Sequence, residues 1–289
     1  MSKHIAVVGL GSMGGAMAAQ LVEAGWQVGG FDPSPAARAA AREAGVAAVD
    51  TLEALAGTPY VVLSLPSAAV VEASLPVLLA SPGTLAVVDT TTSQPDTSAS
   101  CAARAAQQGV AFVDAPVSGG RTGAAAGRLS AFVGGEEDAV EAARPVLDAL
   151  TGGQFRHLGG PGSGNVVKLL NNVLAAVNLV AVGEALAVAQ AYGVDPAAAA
   201  EGISGASGAS RASSAMYPDW VLSGSYDSGF SLGLMARDAA LAVETAALRG
   251  ETPQLLSAAS ERWQEALAAL GPTADFSEIA RTVAPTLTR

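Results

Sequence analysis

Short apolar runs alternate with helical patterns through the first half of the chain. Residues 5–8 are continuously apolar, as in a parallel strand covered on both faces. Residues 27–31, 60–65, 85–88 and 111–113 are further strand candidates, the run at 60–65 being closed by Pro66. Between them, helical spacing spans about residues 13–24, 36–44, 70–79 and 95–108, with a break expected at Pro76. Such alternation predicts a parallel sheet with helices on its faces. Residues 129–133 and 155–158 are further strand candidates around a helix at 136–150.

The pattern changes at residue 165. From there to about residue 192 runs a long, mostly apolar stretch that no proline interrupts, roughly 28 residues or about 42 Å of helix. Gly193 and Pro196 mark its stop. Because it is apolar on nearly every side, it is expected to be buried, between two halves of the molecule. Beyond it no strand pattern appears. Residues 196–204, 213–222, 232–248, 254–270 and 276–283 read as helices, with small-residue linkers at 205–210 and 224–229. The expected organisation is an α/β domain over residues 1–162 and an all-α domain over residues 163–289 that begins with the long helix. Tyr217, Trp220 and Phe230 are expected to pack in the core or between domains, with direct substrate contact as the alternative.

Composition narrows the function. Half of the 289 residues are apolar, only 14% are charged, and the formal charge is −11. That charge argues against general affinity for nucleic acid or anionic membranes. One cysteine, Cys101, excludes an internal disulfide or a cysteine metal cluster. His4 and His157 are too few and too scattered for a zinc site, so no metal is expected. Residues 169–189 come nearest to a membrane span, but their asparagines and Glu184 make them a poor one. Met1-Ser2-Lys3-His4 leads directly into a strand, without a signal-peptide pattern, and a cytoplasmic location is expected.

Candidate chemistry begins after the first strand. Gly9-Leu10-Gly11-Ser12-Met13-Gly14 is a G-x-G-x-x-G turn between a strand and a helix, and Asp32 ends the second strand about 20 residues on. Gly9 permits the tight turn, Gly11 lets a pyrophosphate approach the backbone, and Gly14 lets helix and sheet pack closely. Asp32 can accept from ribose hydroxyls and repels a 2′-phosphate, which favours NAD over NADP; it could also cap the turn at Pro33. The α/β domain is therefore expected to be a Rossmann-type dinucleotide-binding domain. Leu65-Pro66 and Thr90-Thr91-Thr92 follow strands and would form a floor under the cofactor. Ser118-Gly119-Gly120 sets successive backbone N–H groups beside a hydroxyl, a concavity suited to a substrate carboxylate. Lys168 and Asn172 share one face of the long helix. A lysine on a buried helix is costly unless something pairs with it or uses it; capping a carbonyl is the alternative to catalysis.

Three segments in this order carry a resemblance over essentially the whole length: Gly9-Leu10-Gly11-Ser12-Met13-Gly14 with Met17-Ala18, Asp114-Ala115-Pro116-Val117-Ser118-Gly119-Gly120, and Gly162-x-Gly164-x-x-x-Lys168-x-x-x-Asn172. The chain resembles the β-hydroxyacid dehydrogenases, the group that contains 3-hydroxyisobutyrate dehydrogenase and tartronate semialdehyde reductase. The resemblance implies that Lys168 is the catalytic group. It implies that Ser118, Gly119, Gly120 and Asn172 hold the substrate carboxylate and hydroxyl, and that Leu65, Pro66 and Thr92 line the cofactor. Arg237, ahead of Asp238, stands where the family usually has a lysine bordering the cofactor; it keeps the charge but forks differently. The expected activity is hydride transfer between NAD, with NADP possible, and a small 3-hydroxyisobutyrate-like acid. An NADPH-dependent imine reductase, which generally lacks this lysine, and a non-catalytic cofactor-binding module are the alternatives. An acidic chain with so apolar a helical half is expected to form a homodimer or homotetramer.

Overall fold

The computed structural model describes residues 3–288. The chain divides into two compact units, with the division between Lys168 and Leu169. The first is built on a six-stranded parallel sheet: β1 (His4–Val8), β2 (Gln27–Phe31), β3 (Ala47–Ala48), β4 (Tyr60–Leu63), β5 (Ala86–Asp89) and β6 (Ala111–Asp114). Their spatial order is β3-β2-β1-β4-β5-β6. The order reverses between β1 and β4, and that is where a doubly wound sheet opens a crevice at its carboxyl ends. Helices α1 (Ser12–Glu23), α2 (Pro35–Glu43), α3 (Ala68–Leu78) and α4 (Pro95–Ala106) make the crossovers.

The continuously apolar strands follow from burial on both faces. Ile5, Val7, Val62, Val88 and Val113 pack on one side with Met17, Leu21 and Leu147. Ala6, Val8, Val61, Leu63 and Val87 pack on the other with Leu75, Cys101 and Phe112. Strand β3 is too short to show a pattern in sequence. Helix α3 does not break at Pro76. Leu75 and Leu78 flank the proline and are fully buried. Their burial, about 2 kcal/mol each, outweighs the roughly 3 kcal/mol that an interior proline costs.

The strands after β6 leave the main sheet. β7 (Val117–Ser118), β8 (Ser130–Val133) and β9 (Phe155–His157) form a separate three-stranded sheet, with β7 antiparallel and β9 parallel to β8. Helices α5 (Gly120–Ala125) and α6 (Glu137–Thr151) lie within this segment. A bridge between Asp114 and Gly134 joins the end of β6 to the end of β8.

Helix α7 (Ser163–Ala191) starts in the first unit and continues as the first helix of the second. It is followed by α8 (Pro196–Ser204), α9 (Leu232–Ala247), α10 (Gln254–Leu270) and α11 (Ala280–Val283). Leu179, Leu186, Tyr217, Trp263, Phe276 and Ile279 form this unit's core. Tyr217 Oη donates to the Leu179 carbonyl at 3.0 Å, and Trp263 Nε1 to that of Ala176 at 3.2 Å. Trp220 and Phe230 pack edge-on against Phe276, so all three aromatics singled out in sequence are packing residues.

Two further expectations differ from the structure. Residues 212–222 are π-helical rather than α-helical, and Pro218, which lacks the N–H for a regular turn, lies inside them. Helix α7 is not buried all round, since Leu170, Leu174 and Val188 are 42%, 54% and 60% exposed. By length and composition α7 could cross a membrane, yet 44% of its most apolar window is buried inside the protein. A core helix passes the same test.

Candidate active site

The glycine turn occupies the crevice at the carboxyl ends of β1 and β4. A methyl group on Gly9, which has φ +90°, would strike the Ser64 carbonyl, and one on Gly14 would strike the carbonyl of Gly9. Both are glycines because backbone passes there. Gly11 is different: nothing lies within 4 Å of where its Cβ would be. It is exposed at the start of α1, and no side chain caps that helix. The first-turn N–H groups of α1 are thus open to a ligand, and a bare backbone at Gly11 gives a pyrophosphate room to reach them. These residues fit a dinucleotide.

Asp32, half-buried at the end of β2, is fixed from two sides. The Leu10 N–H donates to Oδ2 at 2.8 Å and the Ser34 N–H to Oδ1 at 2.8 Å. Arg38 Nη1 donates to the Asp32 carbonyl at 2.8 Å and braces the same turn. Asp32 therefore does cap the turn at Pro33, while each carboxylate oxygen keeps acceptor capacity for a hydroxyl. One residue thus links the glycine loop to the position expected of the adenosine ribose.

The floor loops are tied together. The Leu65 N–H donates to Thr91 Oγ1 at 3.1 Å, and Thr90 Oγ1 donates to the Leu63 carbonyl at 2.7 Å. Thr90 and Thr91 are buried and serve the scaffold, whereas Leu65 and Thr92 are half-buried and Pro66 is exposed. Beneath them Asp89 accepts from the Thr91 N–H at 2.9 Å. Its other oxygen has no hydrogen-bond partner among the described residues, and burial pushes its carboxyl up to about 7.

Ser118 ends β7, and Gly120 opens α5, which packs on the flank of α1. Gly119 and Gly120 have φ of +122° and +61° and are exposed. Only glycine takes such angles freely in succession, so the bend that turns this loop outward depends on them.

The start of α7 is the most constrained part of the site. Asp114, at the end of β6 and fully buried, accepts from the Gly162 N–H at 2.7 Å and from the Asn165 N–H at 2.8 Å. Burial pushes its carboxyl up to about 6 against those bonds. Asn165, also fully buried, accepts from the Ser93 N–H at 2.9 Å and donates to Ser98 Oγ at 3.0 Å. A methyl on Gly164 would meet the Phe132 carbonyl, and one on Gly162 would lie 2.6 Å from the Pro95 carbonyl. Lys168 follows one turn later and is 9% exposed.

In the second unit, Asn172 stands one further turn along α7 and is 7% exposed. Its Nδ2 donates to Asp238 Oδ2 at 2.7 Å. Asp238 is itself buried and takes Arg237 Nη2 on its other oxygen at 2.9 Å. Arg237 is thus bonded to the aspartate beside it on α9. Asp114, Asn165 and Asp238 were not assigned roles from sequence. The only signals were an aspartate heading the Ser118 motif, an asparagine in the first turn of the long helix, and an aspartate next to Arg237.

Comparison with known proteins places the whole chain in one family. Residues 4–159 match the NAD-binding domain of 6-phosphogluconate dehydrogenase, and residues 162–283 match the NAD-binding domain of NADP-dependent 3-hydroxyisobutyrate dehydrogenase. An NAD-dependent L-serine dehydrogenase of Pseudomonas aeruginosa is 36% identical over 297 residues, covering 98% of this chain and 99% of its own. A 2-(hydroxymethyl)glutarate dehydrogenase of Eubacterium barkeri is 35% identical, covering 93% of this chain and 91% of its own. The solved structure of Mycobacterium tuberculosis 3-hydroxyisobutyrate dehydrogenase with L-serine superposes with a TM-score of 0.91 at 36% identity, covering 98% of this chain and 99% of that one. With a Rossmann-type unit, a helical unit and both halves matched over nearly their full length, the chain belongs to the β-hydroxyacid dehydrogenases, a family of NAD(P)-dependent oxidoreductases acting on 3-hydroxy acids.

Proposed function

We propose that this enzyme interconverts a small 3-hydroxyisobutyrate-like acid and its semialdehyde, with NAD preferred and Lys168 as general acid and base. The observation that carries the reading is a lysine almost withdrawn from solvent on a helix whose first turn is pinned at three glycine-tight or hydrogen-bonded points. Burying an ammonium is costly, and its use in proton transfer accounts for that cost. A bound nicotinamide would supply the acceptor or donor of the hydride. In the oxidising direction Lys168 Nζ accepts the substrate hydroxyl proton; in reduction it supplies one to the nascent alkoxide. Ser118 with the Gly119 and Gly120 backbone would hold the carboxylate and set the distance to the reacting carbon. Asn172, its donor side oriented by Asp238, would steady the hydroxyl. Gly9, Leu10, Gly11, Ser12, Met13 and Gly14 would carry the pyrophosphate, and Asp32 the ribose. Leu65, Pro66, Thr92 and Arg237 would border the cofactor.

The substrate class draws support from the relatives. Serine, 3-hydroxyisobutyrate and 2-(hydroxymethyl)glutarate each carry a hydroxymethyl group on the carbon that bears a carboxylate. A site that grips the carboxylate and works on the hydroxymethyl would serve all of them. Purified enzyme and Lys168→Ala would be followed by absorbance of the reduced nicotinamide on this acid series, with NAD and NADP in parallel. Turnover with NAD, lost at least a thousandfold in Lys168→Ala, is the expected result. Near-normal turnover in a folded Lys168→Ala protein would falsify the assignment of Lys168. We further propose a homodimer or homotetramer, supported by the exposed apolar side chains of α7; a monomer mass in light scattering at micromolar concentration would exclude it.

A further inference from the structure

Lys168 sits at the sixth residue after the Gly162 bend, and its position depends on what holds the start of α7. Two side chains and one bare glycine do so within the first unit. Asp114 reaches from the end of β6 and places one carboxylate oxygen on the Gly162 N–H and the other on the Asn165 N–H. These are donors that a helix start leaves without intrahelical partners, so Asp114 acts as a helix cap supplied from a distant strand. Asn165 then ties the same turn to Ser93 and to Ser98 on α4. Gly134, at the far side, leaves space for the carboxylate: a Cβ there would lie 2.5 Å from Asp114 Oδ1 and 2.7 Å from the Gly164 N. The helix cannot slide along its axis without breaking the Asp114 bonds, nor rotate without breaking those of Asn165.

We infer that Asp114 is a positioning residue for Lys168, its carboxylate fixing the depth at which α7 presents the lysine, with Asn165 and Ser98 fixing the rotation. The inference rests on the reading of Lys168 as the proton-transfer group. An ordinary surface cap does not have this arrangement. Asp195 caps α8 through the N–H groups of Ala197 and Ala198, but it is exposed and belongs to the sequence it caps. Asp114 is fully buried, and its two acceptor bonds span 48 and 51 residues. It also stands at the head of the short segment that leads to Ser118. One residue therefore fixes both the strand end from which that segment departs and the helix carrying Lys168. Displacing a catalytic group by about 1 Å can cost on the order of a hundredfold in rate.

The test compares Asp114→Asn with Asp195→Ala in the full enzyme. An asparagine at 114 keeps the size but offers one acceptor and turns an N–H₂ toward the other N–H. The expected result is a kcat at least thirtyfold lower, with the NAD dissociation constant and the KM for the acid changed less than threefold. Asp195→Ala loses a cap of the same kind, lowers Tm, and keeps wild-type kcat. If Asp114→Asn folds and keeps kcat within threefold of wild type, the inference is wrong. It is equally wrong if its kcat falls only in proportion to the folded fraction. Should Asp114→Asn not fold, Ser98→Ala reads the same clamp through Asn165, with kcat expected about fivefold down and NAD binding intact; a wild-type kcat there overturns the inference. Failure of the Lys168 reading is distinguishable, because Lys168→Ala would then turn over normally whatever Asp114 does.

Discussion

Replacing Asp89 by asparagine should make the apo protein more stable at pH 8 and leave it no more stable at pH 4. Asp89 ends β5 in register with Asp114 on β6, is 1% exposed, and has one oxygen without a hydrogen-bond partner among the described residues. Burial pushes its carboxyl from 3.8 to about 7, opposed by hydrogen bonds from Thr91 and aided by the neighbouring charge of Asp114. The native state therefore holds a proton that the unfolded chain releases. Its contribution to stability is fully present below about pH 4 and is lost as the pH rises through 7. At about 1.4 kcal/mol per tenfold change in proton affinity, the difference amounts to ~4 kcal/mol between pH 4 and pH 8. Asparagine is close to isosteric and does not ionise. It keeps an acceptor for the Thr91 N–H, but turns an N–H₂ toward the position where Oδ2 had no partner, at a cost of about 1 kcal/mol. The net gain expected at pH 8 is thus roughly 3 kcal/mol, changing to a loss of roughly 1 kcal/mol at pH 4. Urea unfolding of the first unit, followed by the fluorescence of Trp26 in its core with the other tryptophans replaced, would measure both. A stability difference between variant and wild type that stays constant from pH 4 to pH 8 would show that Asp89 does not carry this proton.

The glycine turn offers a separation of roles. Gly14→Ala should cost ~3 kcal/mol or more of stability because its methyl meets the Gly9 carbonyl. Gly11→Ala should change stability by less than about 1 kcal/mol, since the space is open and its φ is −66°, yet weaken NAD at least tenfold in fluorescence titration. Equal loss of NAD affinity without loss of stability in both variants would contradict the assignment. Asp32→Ala should weaken NAD about tenfold to a hundredfold and move the ratio of NADP to NAD affinity toward NADP, because a charge-assisted ribose contact and a repulsion disappear together; an unchanged ratio would mean that the ribose lies elsewhere.

Much of the fold was legible because its signals are local. Four apolar residues in a row, a glycine turn and an acidic residue after the next strand occupy one βαβ segment, and the geometry of that segment follows from its own sequence. Where packing decided, local rules failed. Pro76 did not end α3, since Leu75 and Leu78 are held against the sheet. The all-round apolarity of α7 suggested burial on every side, although Leu174 and Val188 face solvent. An apolar residue on a surface breaks no physical rule, so hydropathy alone could not tell the covered side of that helix from the open one.

The candidate site divides in the same way. Lys168 and Asn172 could be named as a pair because four residues separate one helical turn from the next. The residues that hold them could not, because each bond is closed by the fold: Asp114 to α7 across 48 and 51 residues, Asn165 to Ser98 across 67, Asn172 to Asp238 across 66. The glycines at 134, 162 and 164 acquire their reason at the same point. In sequence nothing shows the contacts that require them. In the structure they let a strand end, a carboxylate and a helix start approach within hydrogen-bonding distance, which any side chain there would prevent. A loop of freely moving glycines would leave α7 loosely attached, and the lysine on it with no defined height. A loop whose glycines are required by contact makes the same helix start rigid. With Asp114 as a positioning residue, the height of Lys168 is set by that carboxylate and its glycine cradle rather than by the helix that carries it.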